Sequence, residues 1–122
     1  MATLLDLKTF SDMRGNLTVI EKELPFPVRR VYYIYGVGKD EVRAGHRHKN
    51  NVQVLVCVTG SCEIYVNDGA NKQTFLLDRP DQGLLMEPRD WHTMYNFTKD
   101  ALLLVLASEP YDLDDYIDEE YP

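Results

Sequence analysis

The sequence predicts an all-β domain, and three features of the chain support this prediction. Short runs rich in β-branched and aromatic residues recur along it, for example at residues 28–35 and 52–58. Turn signals such as Asn67-Asp68-Gly69 separate the runs at intervals of about eight to twelve residues, which is typical of a sandwich or barrel. Only residues 111–120 could form a short helix, and they could equally form an acidic irregular tail. A chain of 122 residues is long enough for one packed core, so we expect a single domain over residues 1–122.

The individual strands follow from the positions of the apolar runs and of the turns between them. In chain order, the predicted strands comprise residues 4–10, 17–20, 28–35, 43–49, 52–58, 61–66, 74–77, 83–86, 94–97 and 102–106. Within residues 28–35, strand alternation places Arg30 and Tyr32 on one face. Tyr33 and Tyr35 then lie on the opposite face of the same strand.

The net charge of −7 belongs to the C-terminal end of the chain. Seven of the 20 acidic residues follow residue 108, and the 13 lysines and arginines balance the rest. A charge-balanced body argues against nucleic acid as a partner, because phosphate binding requires a basic face. No stretch is long and apolar enough to span a membrane, and the N-terminus lacks a signal-peptide pattern, so we expect a cytoplasmic protein. We interpret residues 109–122 as an acidic tail that is solvated or caps a partner subunit.

The motif His46-Arg47-His48 is the first candidate functional feature. In an extended segment the two histidines share one face and lie about 7 Å apart, while Arg47 points to the other face. Three roles compete for this pair: metal ligands, an acid–base pair, or ordinary polar residues on a hydrated strand. Imidazoles bind divalent ions, and their unperturbed pKa of about 6.5 also permits proton exchange at neutral pH.

The third histidine of the chain, His92, lies well downstream in another predicted strand. An early HxH pair with one later histidine is similar to the layout of the cupin metal site. This resemblance implies a cupin fold, a small jelly-roll β-barrel of two antiparallel sheets. Val52 and Gln53 occupy the positions at which cupins usually carry a glutamate ligand, whereas Gly60 matches the expected glycine. We therefore expect no bound metal, although three imidazoles alone can hold zinc or iron.

Several stretches together resemble the sugar-nucleotide 3,4-ketoisomerases, which are small cupins acting on dTDP-4-keto-6-deoxyglucose. The resemblance extends over nearly the whole chain, from Arg14 to Ile117. The stretches that carry it are Arg30-Val-Tyr-Tyr-Ile34, Arg43-x-x-His46-x-His48-Lys49, Gln53-Val-Leu-Val-Cys57 with Gly60-Ser-Cys62, Trp91-His92, and Val105-Leu-Ala-Ser108 through Tyr111-Asp-x-x-Asp-Tyr-Ile117.

The resemblance implies an isomerase that needs neither metal nor cofactor and that uses His46 and His48 as its catalytic residues. The reaction moves a ketone from C4 to C3 of the hexose through an enediolate. We expect His48 to act at carbon and His46 to assist at oxygen. Two neighbouring imidazoles suit this reaction because protons must be exchanged both at carbon and at oxygen.

The resemblance also implies a set of substrate-binding residues. We expect Arg30 and Arg43 to hold the diphosphate, since guanidinium groups bind phosphate oxygens bidentately. We expect Tyr33 or Tyr35 to stack on the ligand or to donate a hydrogen bond to it.

Arg14 and His92 match the residue pair of the branch that produces the galacto configuration at C4. The implied product is a 3-keto-6-deoxygalactose nucleotide, which would feed a 3-amino sugar of a surface polysaccharide or glycan. Members of this family pair as dimers, commonly through strand exchange, so we expect a homodimer. Two alternatives remain open: a cupin sugar-nucleotide epimerase, and a metal-binding cupin that acts as an oxygenase or a small-ligand sensor.

Overall fold

A computed structural model describes residues 1–122 and consists almost entirely of antiparallel strands, which confirms the all-β prediction. It contains no helical segment long and apolar enough to traverse a lipid bilayer. The elements, in chain order, are β1 (Thr3–Asp6), β2 (Lys8–Asp12), β3 (Gly15–Val19), β4 (Arg30–Tyr35), β5 (Arg43–His48), β6 (Gln53–Thr59), β7 (Cys62–Asn67), β8 (Lys72–Leu77), β9 (Gln82–Met86), β10 (Trp91–Tyr95), β11 (Leu102–Ala107), a single 3-10 turn (Leu113–Asp115) and β12 (Tyr116–Ile117).

Two five-stranded sheets and one separate hairpin make up the molecule. The first sheet has the strand order β1-β9-β6-β11-β4, and the second has the order β12-β5-β10-β7-β8. Strands β2 and β3 pair only with each other. The main core contains fully buried side chains from both sheets, among them Leu55, Ile64, Leu84 and Leu103. The two large sheets therefore enclose one hydrophobic core, which is the arrangement expected of a small jelly roll.

The central strand β6 is buried on both of its faces. Leu55 and Cys57 belong to the main core, whereas Val54 and Val56 join a second cluster on the outer face of the first sheet. Side chains of the loop at residues 20–27 cover that cluster. Burial on both faces explains why this segment is a continuous apolar run rather than an alternating one.

The N-terminal region differs from its prediction as one strand over residues 4–10. The structure contains two strands there, β1 in the first sheet and β2 in the separate hairpin. Leu7 lies between them, buried in the outer cluster, and its backbone N–H donates to the Asp81 carbonyl at 2.8 Å. The chain changes direction at this anchored residue. A single strand cannot both pair within the first sheet, as β1 does, and belong to a hairpin that leaves that sheet, as β2 does.

The acidic C-terminal residues are not a solvated extension. The Trp91 indole N–H donates to the Asp118 carbonyl at 3.0 Å, and the Tyr65 hydroxyl donates to the Glu120 carboxylate at 2.8 Å. The Tyr121 hydroxyl donates to the backbone carbonyl of Arg89 at 2.9 Å. Residues 118–121 therefore lie against the second sheet of their own chain, where the Glu120 carboxylate accepts hydrogen bonds from the side chains of Tyr65 and Asn67.

Candidate active site

A cavity of about 270 Å³ lies between β4 of the first sheet and β5 of the second. Its walls combine two arginines, two aromatic residues and one histidine with three apolar side chains. The eight lining residues are Arg30, Tyr32, Ile34, Arg43, Ala44, His46, Met94 and Tyr116. A small concave site with a few convergent polar groups is the usual form of a small-molecule binding site.

The histidine pair lies at this cavity on β5. The rings of His46 and His48 approach edge to face, with their centroids 5.1 Å apart, so both point to the same side of the strand. His46 lines the cavity, while His48 lies one layer deeper and is almost fully buried. The Tyr116 ring covers both imidazoles, with centroids 4.7 Å from that of His46 and 4.8 Å from that of His48.

A bulge in β5 decides which way Arg43 points. His92 pairs with His46 and the next residue, Thr93, pairs with Ala44, so Gly45 is the extra residue. Ala44 and Gly45 both have positive φ, 69° and 80°, a conformation that glycine adopts at little cost. Regular alternation would place Arg43 on the face opposite His46, because the two residues are three positions apart. The bulge brings the Arg43 side chain to the cavity instead.

The C-terminal segment supplies a carboxylate to the deeper histidine. Asp115, which ends the 3-10 turn, lies with one carboxylate oxygen 2.9 Å from His48 Nδ1. The other oxygen accepts the backbone N–H of Asn50 at 2.7 Å, and the Asp115 carbonyl accepts the N–H of Lys49 at 2.8 Å. Strand β12 then pairs with β5, Tyr116 opposite His48. Asp115 is therefore held beside His48 by the backbone on both sides of it.

The three histidines share a poorly solvated environment. Burial lowers the pKa of His46 to about 4, and the neighbouring His48 acts in the same direction. Burial lowers the pKa of His92 to about 3. Burial also lowers the pKa of His48, but its hydrogen bond to Asp115 and the charge of that carboxylate oppose the shift. All three imidazoles are therefore neutral at pH 7, when each has one nitrogen that donates and one that accepts.

His92 stands behind the cavity against the histidine pair. Its ring centroid is 5.1 Å from that of His46, and the side chain is almost completely buried. Its Nδ1 lies 3.1 Å from the backbone carbonyl of Asp90, which leaves Nε2 without a partner. His92 was predicted to bind substrate; the structure places it next to His46 but not on the cavity wall.

Arg30 and Tyr32 form the wall contributed by β4. The guanidinium of Arg30 lies 5.2 Å above the Tyr32 ring and 5.9 Å from the Tyr111 ring. The Tyr32 hydroxyl donates to the side-chain oxygen of Gln53 at 3.3 Å, and burial raises the pKa of Tyr32 to about 12. Arg30 and Arg43 thus face the same cavity from opposite sheets.

Tyr33 and Tyr35, which were predicted to contact the ligand, do not line the cavity of their own chain. They lie on the outer face of β4, 59% and 68% exposed, with ring centroids 5.8 Å apart. Their outward orientation follows from side-chain alternation along β4, because the face of β4 that carries Arg30 and Tyr32 lines the cavity.

Arg14 is also remote from the cavity in a single chain. It occupies the turn between β2 and β3, is ion-paired with Asp12 at 2.6 Å, and has a side chain that is 91% exposed. The pair of Arg14 and His92 expected from the resemblance is therefore not brought together within one chain.

Three residues of this site were not predicted from the sequence: Tyr32, Asp115 and Tyr116. The signal for Tyr32 was present, since alternation placed it on the face of Arg30. Asp115 and Tyr116 lie in a segment whose charge predicted solvation. The aromatic-aliphatic pair Tyr116-Ile117 at its centre was the local sign of a strand.

The residues present do not fit a cupin metal ion. The structure contains no group of three or more histidine, cysteine, aspartate or glutamate side chains arranged to hold one. Gln53, at a usual glutamate position, is neutral and accepts the hydroxyl of Tyr32. The positive charge of Arg30 acts on His48 and disfavours a second cation at this place.

Comparisons with known proteins support the cupin assignment. The family model FdtA, described as WxcM-like, C-terminal, matches residues 1–121. A TDP-4-oxo-6-deoxy-alpha-D-glucose-3,4-oxoisomerase from Aneurinibacillus thermoaerophilus is 44% identical over 115 residues, which are 93% of this chain and 83% of the relative.

Two solved structures resemble the whole fold. One is a mutant of the 3,4-ketoisomerase QdtA from Thermoanaerobacterium thermosaccharolyticum in complex with TDP-4-keto-6-deoxyglucose, at 41% identity and a TM-score of 0.94. That match covers 97% of this chain and 87% of the other. The second is the WlaRB TDP-quinovose 3,4-ketoisomerase from Campylobacter jejuni, at 44% identity and a TM-score of 0.93. It covers 97% of this chain and 92% of the other.

Proposed function

Because the chain belongs to the FdtA family, we infer that it is a sugar-nucleotide 3,4-ketoisomerase. Its substrate is dTDP-4-keto-6-deoxyglucose, the sugar nucleotide on which its relatives act or with which they were crystallised. The observation that carries this proposal is the cavity between the sheets, which His46, Arg30 and Arg43 line and behind which His48 packs edge to face against His46. Imidazoles supply proton transfer, and guanidinium groups supply binding of a diphosphate.

The reaction requires only that protons move. A base removes the proton on C3, which the C4 carbonyl makes acidic, and the C4 oxygen takes up a proton to give an enediol. C4 then receives a proton, and the oxygen on C3 gives one up to become the new carbonyl. Substrate and product are isomers, so no electron acceptor and no cofactor enter the balance.

We assign the carbon step to His48 and the oxygen steps to His46. His48 is backed by the Asp115 carboxylate, which opposes the loss of basicity that burial causes. Its Nε2 is buried without a hydrogen-bonding partner, as a proton acceptor waiting for substrate would be. His46 lines the cavity and, with a pKa of about 4, is a neutral hydrogen-bond donor at physiological pH. A neutral imidazole can polarise a carbonyl and then transfer its proton.

The diphosphate is bound by Arg30 and Arg43. The two side chains approach the same cavity from different sheets, so they can clamp a ligand that lies between them. Tyr32 replaces Tyr33 and Tyr35 as the aromatic side chain beside the diphosphate, because it is the tyrosine of β4 that faces the cavity.

The active form is a homodimer in which the β2–β3 hairpin reaches a second copy. The hairpin exposes the apolar side chains of Phe10, Met13 and Leu17, and it pairs with no other strand of its own chain. Exposed apolar clusters on an unpartnered element are typical of interfaces. Such a contact would carry Arg14 to the cavity of the partner and would complete the pair that Arg14 and His92 do not form within one chain.

The product has the galacto configuration at C4, as the identities of Arg14 and His92 imply. Sequence identity to relatives does not decide the configuration at C4. A relative that is 44% identical is a TDP-quinovose 3,4-ketoisomerase, and quinovose has the gluco configuration. The enzyme works in the cytoplasm, where nucleotide sugars are made, and its product serves a 3-amino sugar of a surface glycan.

Substitution of the histidines tests the proposed catalytic roles. We expect His46→Asn and His48→Asn each to reduce turnover of dTDP-4-keto-6-deoxyglucose by about 10²–10⁴-fold, because each removes a proton-transferring group. Binding of TDP, measured by calorimetry, should stay within a few-fold of the unsubstituted protein. Lys49→Gln, an exposed change at the next position, is the matched control. Full turnover in either histidine variant would contradict the assignment.

A further inference from the structure

The contact between Asp115 and His48 has a chemical consequence beyond holding the C-terminal segment in place. A carboxylate accepts hydrogen bonds, so the proton of this 2.9 Å contact belongs to His48 Nδ1. A neutral imidazole carries one proton, and Nε2 therefore bears the lone pair. Nε2 is buried and has no partner in the protein, so nothing else in the chain competes for that lone pair.

We propose that Asp115 is a positioning residue that fixes His48 in the Nδ1–H tautomer and leaves its Nε2 as the base for the C3 proton. The inference rests on the proposed ketoisomerase activity, and it extends that activity to a residue of the C-terminal segment. Asp115 does not touch the substrate; it acts only through His48.

Both carboxylate oxygens of Asp115 accept a hydrogen bond. One oxygen faces His48, the other accepts the Asn50 N–H, and the carbonyl of the same residue accepts the Lys49 N–H. An asparagine at this position has only one acceptor oxygen for these two donors. If that oxygen stays with Asn50, the amide NH₂ faces Nδ1 and requires a lone pair there, which transfers the His48 proton to Nε2. The imidazole would then present a proton instead of a lone pair to the substrate.

The carboxylate also matters after the proton is taken. When Nε2 removes the C3 proton, His48 becomes an imidazolium with Asp115 as its counterion. Arg30 would otherwise oppose that charge, since its guanidinium acts on His48. The ionisable and aromatic groups that bear on His48 are Arg30 on β4, His46 on β5, His92 on β10, Asp115 on the 3-10 turn and Tyr116 on β12. Asp115 is the only anion among them.

The direct test compares Asp115→Asn with Asp114→Asn, an exposed acidic neighbour in the same turn. We expect Asp115→Asn to lower kcat by about 10²–10⁴-fold with little change in KM, because proton transfer and not binding is affected. The loss of the carboxylate also lowers the pKa of His48, so the acid limb of the kcat/KM profile moves to lower pH. Asp114→Asn should leave kcat and the pH profile unchanged.

A spectroscopic measurement on the unsubstituted protein keeps the inference testable even if Asp115→Asn folds poorly. Nitrogen-15 NMR of labelled histidines, with the His48 signals assigned by their loss in His48→Asn, reports which ring nitrogen carries the proton. We expect a protonated Nδ1 and an unprotonated Nε2 at pH 7. An Nε2–H tautomer would overturn the inference.

The outcomes separate the two proposals. If the unsubstituted protein does not convert dTDP-4-keto-6-deoxyglucose, the proposed function fails. If it does, and Asp115→Asn retains both its kcat and its pH profile, the ketoisomerase stands and the role of Asp115 is refuted.

Discussion

The C-terminal segment, residues 109–122, and the β2–β3 hairpin both extend beyond the paired strands that enclose the core. They differ in whether they contact the rest of their own chain. The C-terminal segment returns to its own chain, where Asp115 binds His48 and Tyr121 binds the Arg89 carbonyl. The hairpin pairs with no other strand, and its Leu17 side chain is 59% exposed. The more acidic element is therefore tied to its own chain by hydrogen bonds, whereas the hairpin forms no strand pairing outside itself.

This contrast shows that charge and hydropathy do not by themselves decide which element completes a site. The acidic segment packs because the second sheet offers donors, the Trp91 indole and the Tyr65 hydroxyl, at the positions of its acceptors. The hairpin pairs with no other strand of the chain and leaves its apolar side chains exposed. The cavity and its histidines are thus built within the chain. On our proposal, the partner supplies Arg14.

The largest expected effect is the activity of mixed dimers formed from two inactive variants. These dimers test whether the hairpin of one chain reaches the cavity of its partner. Arg14→Ala and His48→Asn should each reduce turnover by at least about 10²-fold, because each removes a polar group from every site of its homodimer. Coexpression of the two variants places an intact Arg14 and an intact His48 in one site of each heterodimer. We expect activity to return to about a quarter of the unsubstituted level, the fraction of complete sites in a random mixture. The rate of product formation in the copurified sample is the readout, and a mixture as inactive as its parents would contradict the shared site.

The next effect concerns assembly. Leu17→Asp places a charge in the exposed apolar face of the hairpin and should convert the dimer to a monomer, as measured by light scattering on a sizing column. Leu113→Asp is the matched control, because Leu113 is an exposed leucine, 71% accessible, of the C-terminal segment. It should leave the dimer intact. Dissociation by both variants, or by neither, would refute the distinction between the two elements.

A smaller effect follows from the burial of His46 and His92. Burial holds the pKa of His46 at about 4 and that of His92 at about 3, below the value of about 6.5 in an unfolded chain. Below pH 6.5 the unfolded chain therefore binds more protons than the folded one, and the free energy of unfolding decreases as the pH falls toward 4. Above pH 6.5 these histidines are neutral in both the folded and the unfolded chain, so their stabilising contribution to the free energy of unfolding is fully present.

Thermal unfolding between pH 7.5 and pH 4.5 measures this dependence. His92→Asn should give a flatter decrease of Tm with falling pH than the unsubstituted protein, because one of the protons taken up on unfolding is lost. Parallel curves for the two proteins would show that the pKa of His92 does not differ between the folded and the unfolded chain.

The smallest effect tests a single contact of the C-terminal segment. Tyr121→Phe removes the hydroxyl that donates to the Arg89 carbonyl at 2.9 Å, and should cost about 0.5–1.5 kcal/mol in the free energy of unfolding. Urea denaturation measures the change, with Tyr95→Phe as a control outside the C-terminal contacts. A loss no larger than that of the control would mean that this hydrogen bond does not stabilise the segment.

Much of this molecule followed from local sequence pattern, and the exceptions have physical causes. Alternation correctly placed His46 and His48 on one face and Arg30 opposite Tyr33, because both depend only on strand geometry. The orientation of Arg43 depended on the bulge at Gly45, which also requires knowledge of the partner strand. Asp115 could not be placed from the sequence, because its contact with His48 joins residues far apart in the chain.

The most direct test of the account is proton NMR of the metal-free protein with dTDP-4-keto-6-deoxyglucose in D₂O. We predict deuterium incorporation and the appearance of a 3-keto product in D₂O. The same reaction run in H₂O, where C4 receives a proton, should give a small coupling between H4 and H5 if the product is galacto. An unchanged spectrum, in both metal-free and metal-loaded samples, would contradict ketoisomerisation by the histidine pair.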